Sequence, residues 1–306
     1  MGKKIGGMMA IMNTPFTADG KKVDEQSLRR HVSHMVENGV QGLVPMGTNG
    51  EFYTMTDEER KTVIKVVVDE ANGRVPVIAG TSHSGTLVAA ELSKYAQDAG
   101  ADAVMALPPY CAWWYYPLME SDFYYHYGEI AKAVDIPVVL YDIPTFGIPE
   151  NAITRLASEF DNVRYLKETY DIQKMRRLHR KLGNKMEVFC GWDDMLLEFM
   201  SKGAKGATIT LPVIAPKQTL AFFEAMEKKD LARGRQLLEK LDPLVDELYA
   251  NAPGYANPGP SILAKECLVM MGIFSSAFQR HPQRPVERET RERLRTILID
   301  LGILKR

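Results

Sequence analysis

The amino-acid sequence predicts a (β/α)8 barrel, and two patterns support that fold class. Eight short apolar segments with the character of strands recur along the chain, and amphipathic helical stretches lie between them. Most of these segments are continuously apolar rather than alternating, as strands are when a parallel sheet buries them on both faces. A barrel is the closed architecture that eight such strand–helix units form.

The individual elements follow in order along the chain. Strands are expected at residues 8–12, 42–46, 75–79, 103–107, 137–141, 163–167, 187–190 and 207–211. After the first strand, Leu28, Val32 and Met35 have the spacing of a helical stripe that faces a core. Thr56 followed by Glu59 is a capping box that begins the second helix. Four glycines lie where helices should end before a strand: Gly39, Gly100, Gly183 and Gly203.

The chain is expected to divide into two parts. Residues 1–228 form the barrel that carries the active site, and residues 229–306 form a helical extension that packs on the barrel. Helices are expected in the extension at residues 231–250, 259–271 and 286–301. Residues 251–260 contain three prolines and two glycines, which predicts a loop between two of these helices.

Composition excludes several classes of function. Lys plus Arg number 38 against 39 Asp plus Glu, so the chain has no excess of positive charge with which to attract nucleic acid. We expect no signal peptide, and no apolar run approaches the roughly 20 residues of a membrane span. The three cysteines are far apart in the sequence, which favours a reduced compartment over a disulfide framework. The expected location is the cytoplasm.

Two residues at predicted strand ends indicate chemistry, because catalytic groups of such barrels lie at the carboxyl ends of the strands. Lys167 ends the sixth strand, where a desolvated lysine can attack a carbonyl and form an imine. Tyr141 ends the fifth strand, from which its phenol can relay protons to such a lysine. Each has a purely structural alternative. Lys167 could pair with Glu168, and Tyr141 could be a core tyrosine bonded to the backbone.

The segment GTNGE at residues 47–51, which we call the glycine turn, follows the second predicted strand. Its backbone N–H groups, from Gly47 onward, and the side chains of Thr48 and Asn49 can bind a carboxylate. The alternative is a tight turn without a ligand, since an Asn-Gly pair favours turns on its own.

These segments together resemble the dihydrodipicolinate synthase/N-acetylneuraminate lyase family of class I aldolases over nearly the whole chain. The matching segments are TPF at residues 14–16, GTNGE at 47–51, GT at 80–81, PPY at 108–110, YDIP at 141–144, LKE at 166–168, GWDD at 191–194 and NPGP at 257–260. Their order and spacing along one chain are highly specific.

The resemblance implies a barrel with a helical extension, assembled as a homotetramer of tight dimers. It implies that Lys167 forms an imine with pyruvate or another 2-oxo acid, and that Tyr141 shuttles protons. Thr48 and Asn49 then bind the carboxylate of the 2-oxo acid, and the backbone around Thr208 lines the pocket. The partners implied are a small 2-oxo acid and an aldehyde, and neither a metal nor an organic cofactor is implied.

Our leading hypothesis is a lyase that cleaves or forms a C–C bond through the imine. The alternatives are a dehydratase of 2-keto-3-deoxy sugar acids that uses the same imine, dihydrodipicolinate synthesis, and a non-catalytic protein that binds 2-oxo acids. The synthase pattern has an arginine where this chain has Phe146 and a second tyrosine where it has Cys111. Because neither residue replaces the charge or the phenol, we disfavour the synthase.

Three other features of the sequence bear on its function. The aromatic run WWYY at residues 113–116 predicts either a lid on the pocket or a subunit contact. His31 and His34 lie three residues apart on the first helix and are expected on its solvated face. A metal centre is the weaker hypothesis, because only His83 among the six histidines lies near a predicted strand end.

Overall fold

The predicted barrel is confirmed in a computed structural model, which describes residues 3–110, 117–249, 259–280 and 285–306. Eight parallel strands pair in the order β2-β1-β8-β7-β6-β5-β4-β3, and a parallel bridge from Leu43 to Val77 brings the two edge strands together. The strands are β1 (Gly7–Ile11), β2 (Gly42–Val44), β3 (Ile78–Gly80), β4 (Ala103–Ala106), β5 (Val138–Asp142), β6 (Val163–Glu168), β7 (Glu187–Cys190) and β8 (Gly206–Ile209).

Helices alternate with these strands. The helices of the barrel are α1 (Glu25–Glu37), α2 (Asp57–Ala71), α3 (Thr86–Asp98), α4 (Glu120–Ala133), α5 (Glu150–Glu159), α6 (Ile172–Leu182), α7 (Leu196–Ser201), α8 (Leu211–Ile214) and α9 (Pro216–Glu227). The extension contains α10 (Leu231–Glu239), α11 (Asp242–Tyr249), α12 (Pro260–Met270) and α13 (Arg288–Asp300). α9 and α10 flank the boundary expected between residues 228 and 229.

Apolar burial explains both parts of this architecture. Met8 and Phe189 of the strands are completely buried, as are Leu294 and Leu298 of α13, so the extension shares a hydrophobic core with the barrel. The capping box of α2 is present, because Thr56 Oγ1 accepts from Glu59 N and Glu59 Oε2 accepts from Thr56 N at 3.0 Å. All four glycines expected at helix ends have positive φ angles.

Two sequence-based predictions are wrong. The helix expected at residues 231–250 is two helices, α10 and α11, because Pro243 has no N–H to continue an α-helical ladder. His31 is not on a solvated face. It is fully buried against Phe274, with the ring centroids 5.1 Å apart, and burial lowers its pKa to about 3, so the imidazole is neutral.

Some of the predictions fall outside the described residues. These are Cys111, the aromatic run at residues 113–116 and most of the loop at residues 251–260. Within the described ranges, no helix has the length and apolar character needed to cross a membrane.

The close approach of Gly80 to Met46 helps to place the glycine turn, and a substitution at Gly80 tests this. A Cβ at Gly80 would lie 2.0 Å from the backbone oxygen of Met46, immediately before that turn. We therefore expect Gly80→Ala to lower the melting temperature by roughly 5 °C, because backbone has to shift to relieve the overlap. Gly128→Ala in α4 is the matched control, since its Cβ meets only ordinary contacts with Phe160 and alanine favours a helix. Equal melting temperatures for both variants would contradict this explanation.

Candidate active site

Strand pairing places the two predicted catalytic residues side by side. In the register of β5 and β6, Tyr141 lies opposite Lys167 and Asp142 lies opposite Glu168. Since successive side chains of a strand point to opposite faces, Tyr141 and Lys167 share one face and the two carboxylates share the other. Lys167 is 1% exposed, and its Nζ lies 3.8 Å from the centre of the Tyr141 ring.

The lysine does not form the ion pair considered as its structural alternative. Both backbone N–H groups of Tyr170 and Asp171 donate to Glu168 Oε1 at 3.0 Å, and Glu168 Oε2 lies 3.9 Å from Lys174. Among the described residues, no carboxylate oxygen lies within 4.0 Å of Lys167 Nζ. The lysine is therefore buried without a countercharge from this part of the chain.

Gly191, which follows β7, makes room for the lysine stem. A Cβ at this position would lie 2.8 Å from Cε of Lys167 and 2.7 Å from Cγ2 of Thr169. A side chain larger than hydrogen at this position would overlap the Lys167 stem and Thr169, so one of these groups would have to move.

Tyr141 connects the lysine to the glycine turn. Its hydroxyl lies 3.1 Å from Thr48 Oγ1, and either oxygen can be the donor. Thr48 is exposed and begins the single 3₁₀ turn Thr48–Gly50. The amine, the phenol and an open hydroxyl therefore lie in sequence along one wall, an arrangement that can move protons to and from a group bound at Lys167.

Asn49 forms hydrogen bonds with three other residues. Its side-chain amide donates to Thr210 Oγ1 at 2.9 Å, which ties the glycine turn to the end of β8. Its carbonyl oxygen accepts from Asn13 Nδ2 at 3.2 Å and from Ser261 Oγ at 2.9 Å. The turn is thereby fixed between β1, β8 and the extension.

These groups surround a cavity of about 700 Å³ at the carboxyl ends of the strands. Among the residues predicted from the sequence, Lys167, Tyr141, Thr48 and Asn49 line the cavity, whereas Gly47 and Thr208 are not among its described lining residues. The hydroxyl of Thr208 is buried without a hydrogen-bond partner, and the neighbouring Ile209 and Thr210 face the cavity instead. The roles given to all six residues stay predictions.

Sequence reasoning missed the role of Asp193. Its buried carboxylate accepts from the backbone N–H groups of Thr210 and Leu211, at 3.0 and 2.7 Å to Oδ1, and from the Tyr249 hydroxyl at 2.5 Å to Oδ2. Burial raises the pKa of Asp193, and the hydrogen bond from Tyr249 opposes that shift. The GWDD segment was noticed in the sequence, but nothing in the sequence indicates that Tyr249 reaches it from α11.

Three aromatic rings also line the cavity. Trp192 contacts Tyr170 with ring centroids 5.3 Å apart and Tyr249 with centroids 4.9 Å apart, and all three line the cavity. Such faces supply apolar contact area for a bound organic substrate. Within the described ranges, no cluster of His, Cys, Asp and Glu is arranged to bind a metal ion.

A cluster of charged side chains lies between α6 and the strands β5 and β6. Lys174 of α6 bonds to Asp142 Oδ2 and donates to the carbonyl of Ile148 at 2.6 Å. Burial, reinforced by the nearby carboxylate of Asp142, raises the pKa of Glu168 to about 7. Two carboxylates therefore share one ammonium on the side of β5 and β6 that faces away from Lys167.

Comparison with known proteins gives a consistent result. The model of the dihydrodipicolinate synthetase family matches residues 4–301. The chain is 34% identical to 4-hydroxy-tetrahydrodipicolinate synthase of Methanopyrus kandleri over 308 residues, covering 99% of both proteins. It is 35% identical to the Methanococcus vannielii enzyme of the same name, covering 98% of this chain and 99% of the relative.

A solved structure agrees with these sequence matches. The chloride-inhibited dihydrodipicolinate synthase of Acinetobacter baumannii, complexed with pyruvate, superposes with a TM-score of 0.88 at 34% identity, covering 98% of this chain and all of that one. The fold and the matches define a class I aldolase, a lyase that works through a Schiff base. More particularly, the chain belongs to the dihydrodipicolinate synthetase family, which confirms the resemblance seen in the sequence.

The raised pKa of Glu168 predicts how stability depends on pH. Because the carboxyl binds its proton more tightly in the folded state than at the unfolded value of about 4.3, stability falls as pH rises towards and through 7. Between about pH 5 and pH 8, the free energy of unfolding should fall by on the order of 2 kcal/mol less in Glu168→Gln than in the unmodified protein. Denaturant unfolding at each pH measures this difference.

Glu150→Gln serves as a control for this prediction, because Glu150 pairs with Arg177 near the surface. It should keep the pH dependence of the unmodified protein. An unchanged pH dependence in Glu168→Gln would show that another group takes up the proton.

Proposed function

We propose that Lys167 is the residue that forms the Schiff base, with pyruvate or another 2-oxo acid as its partner. The observation that supports this proposal is the buried Lys167 amine, which contacts the Tyr141 ring at the floor of a large cavity and has no described carboxylate partner. A lysine held among apolar groups is suited to nucleophilic attack once it has lost its proton.

The chemistry proceeds in balanced steps. Nζ of Lys167 attacks the keto carbon, and the keto oxygen leaves as water while the hydroxyls of Tyr141 and Thr48 relay protons. The protonated imine accepts electron density when the adjacent carbon loses a proton, which gives an enamine. The enamine attacks the carbonyl carbon of an aldehyde, whose oxygen takes up a proton, and water then hydrolyses the imine. Cleavage is the same sequence in reverse.

The glycine turn is the proposed site of the 2-oxo acid's carboxylate. Thr48 and Asn49 line the cavity on the side of the Tyr141 hydroxyl, so a carboxylate bound there directs the keto carbon towards Lys167. No metal or organic cofactor takes part in this proposal, because the imine itself serves as the electron sink.

The acceptor is either aspartate semialdehyde or another aldehyde, and the two cases are tested separately. The names of the relatives favour 4-hydroxy-tetrahydrodipicolinate as the product. Adding one water to open the cyclic imine of that product and then removing pyruvate leaves aspartate semialdehyde, whose amino group closes the ring with loss of water in the forward direction. This support is stronger than that for the other aldehydes, which the sequence analysis placed first. Phe146 and Cys111, which replace the arginine and tyrosine of the synthase pattern, are the residues that favour a different acceptor.

For the assembly and location, we propose a cytoplasmic homotetramer. The family resemblance supports the assembly and the cysteine pattern supports the location.

Borohydride trapping tests the role of Lys167. Incubation with pyruvate and borohydride should add one reduced pyruvyl group, which peptide mapping assigns to Lys167 and which is absent from Lys167→Ala. Tyr141→Phe should still be trapped, but roughly 100-fold more slowly, because it keeps the ring and loses the proton relay. Folded protein that gives no adduct with pyruvate or longer 2-oxo acids would favour the non-catalytic binding protein.

A product assay identifies the acceptor. With pyruvate and aspartate semialdehyde, the synthase reaction consumes both substrates in equal amounts, whereas a lyase for another aldehyde leaves the semialdehyde unchanged. A dehydratase converts a 2-keto-3-deoxy sugar acid without releasing pyruvate. Whichever of these activities the unmodified protein shows, its retention in Lys167→Ala would contradict the imine mechanism.

A further inference from the structure

We propose that Lys265, on α12 of the extension, is a positioning residue that holds the glycine turn in the shape needed to bind the 2-oxo acid. This inference rests on the proposed function of the turn. It assigns to the extension a part in substrate binding through a residue that does not line the cavity.

Glu51 is the link between Lys265 and the turn. Its backbone has φ +56° and ψ +33°, a left-handed conformation that is uncommon for a residue with a side chain and is maintained by its surroundings. The side chain is completely buried and forms an ion pair with Lys265, which is also completely buried. The strained end of the turn is thus anchored to α12.

The second oxygen of Glu51 is also engaged. Glu51 Oε2 accepts from the backbone N–H of Arg280 at 3.2 Å, and Arg280 itself bonds Glu59 of α2 through Nη1 at 2.7 Å and Nη2 at 2.5 Å. Lys265 Nζ and the Arg280 guanidinium lie 4.4 and 4.3 Å from the centre of the Phe16 ring. The Lys265 ammonium and the Arg280 backbone N–H thus engage both oxygens of the Glu51 carboxylate and fix its orientation.

A second contact from α12 reaches the same turn. Ser261 lies one helical turn before Lys265, on the same face of the helix, and its hydroxyl donates to the carbonyl of Asn49 at 2.9 Å. Asn13 Nδ2 bridges the carbonyls of Ser261 and Asn49, at 2.8 and 3.2 Å. α12 therefore contacts the turn at Asn49 and at Glu51, the residues on either side of Gly50.

Stability alone is a weak explanation for this ion pair. Desolvation of two buried charges offsets much of their attraction, so apolar residues of similar size often stabilise a fold equally well. The ion pair does fix the position of the Glu51 carboxylate. It thereby determines the conformation of the residues that precede Glu51 in the glycine turn. Thr48 and Asn49 are the residues whose positions follow from it.

Measuring pyruvate affinity separates positioning from stability. The concentration of pyruvate that gives half-maximal borohydride trapping should rise about tenfold in Lys265→Met, with Lys167 still the residue modified and the maximal trapping rate largely kept. Glu51→Gln, which keeps an acceptor for the ammonium, should have a smaller effect. Melting temperature is recorded for every variant.

Glu266→Gln is the matched control. Glu266 is the next residue of α12, but it pairs with Arg291 at 2.8 Å and not with the turn. Its loss should lower the melting temperature without changing the half-saturating pyruvate concentration. Since Lys265→Met leaves the Glu51 charge unpaired and can impair folding, the double variant Glu51→Gln with Lys265→Met repeats the test without an unpaired charge and should show the same loss of affinity.

The outcomes are distinct. A folded Lys265→Met protein, or a folded double variant, with the pyruvate affinity of the unmodified protein would overturn the positioning role while leaving the imine proposal intact. Failure of the unmodified protein to be trapped at Lys167 would overturn the proposed function, and the positioning role with it.

Discussion

The structure depends on keeping one lysine amine inside a barrel without pairing it to a carboxylate. Lys167 reaches the cavity from β6, and the described contact of its Nζ is the face of the Tyr141 ring. A carboxylate partner would compete with a bound carbonyl for the amine, whereas the amine without one can attack that carbonyl. The parallel register that sets Tyr141 beside Lys167 and the missing side chain of Gly191 both serve this arrangement.

Strand alternation separates the reactive amine from the carboxylates of the same two strands. Asp142 and Glu168 follow Tyr141 and Lys167 directly in sequence, yet they face α6, where Lys174 neutralises one of them. Lys167 therefore lies in a cavity without a described carboxylate partner, whereas Asp142 and Glu168, one residue further along each strand, lie beside an ammonium. The same cluster ties β5 and β6 to α6, which fixes the strand ends that carry the amine and the phenol.

The sequence predicts the features that local patterns determine. Strand positions follow from continuous apolar segments, the start of α2 follows from Thr56 and Glu59, and Lys167 is conspicuous because an ammonium is out of place at the end of an apolar strand. The strand register then makes Tyr141 its neighbour, as the barrel order requires.

Long-range contacts could not be predicted in this way. Lys265 is 214 residues from Glu51, and Tyr249 is 56 residues from Asp193, so neither pair leaves a periodic or local signal. Both pairs connect the extension to the barrel mouth. The sequence alone does not indicate that the extension contributes to the site. His31 was placed wrongly for the same reason, since the element that covers it, around Phe274, lies far along the chain.

A crystal structure of the protein soaked with pyruvate would test directly whether Lys167 forms the imine. We expect continuous electron density from Lys167 Nζ to the keto carbon, with the carboxylate against Thr48 and Asn49 and the Tyr141 hydroxyl beside the new bond. Pyruvate bound elsewhere, or lying in the cavity with its carboxylate on Lys167 as a simple ion pair, would contradict the imine and the assignment of the glycine turn.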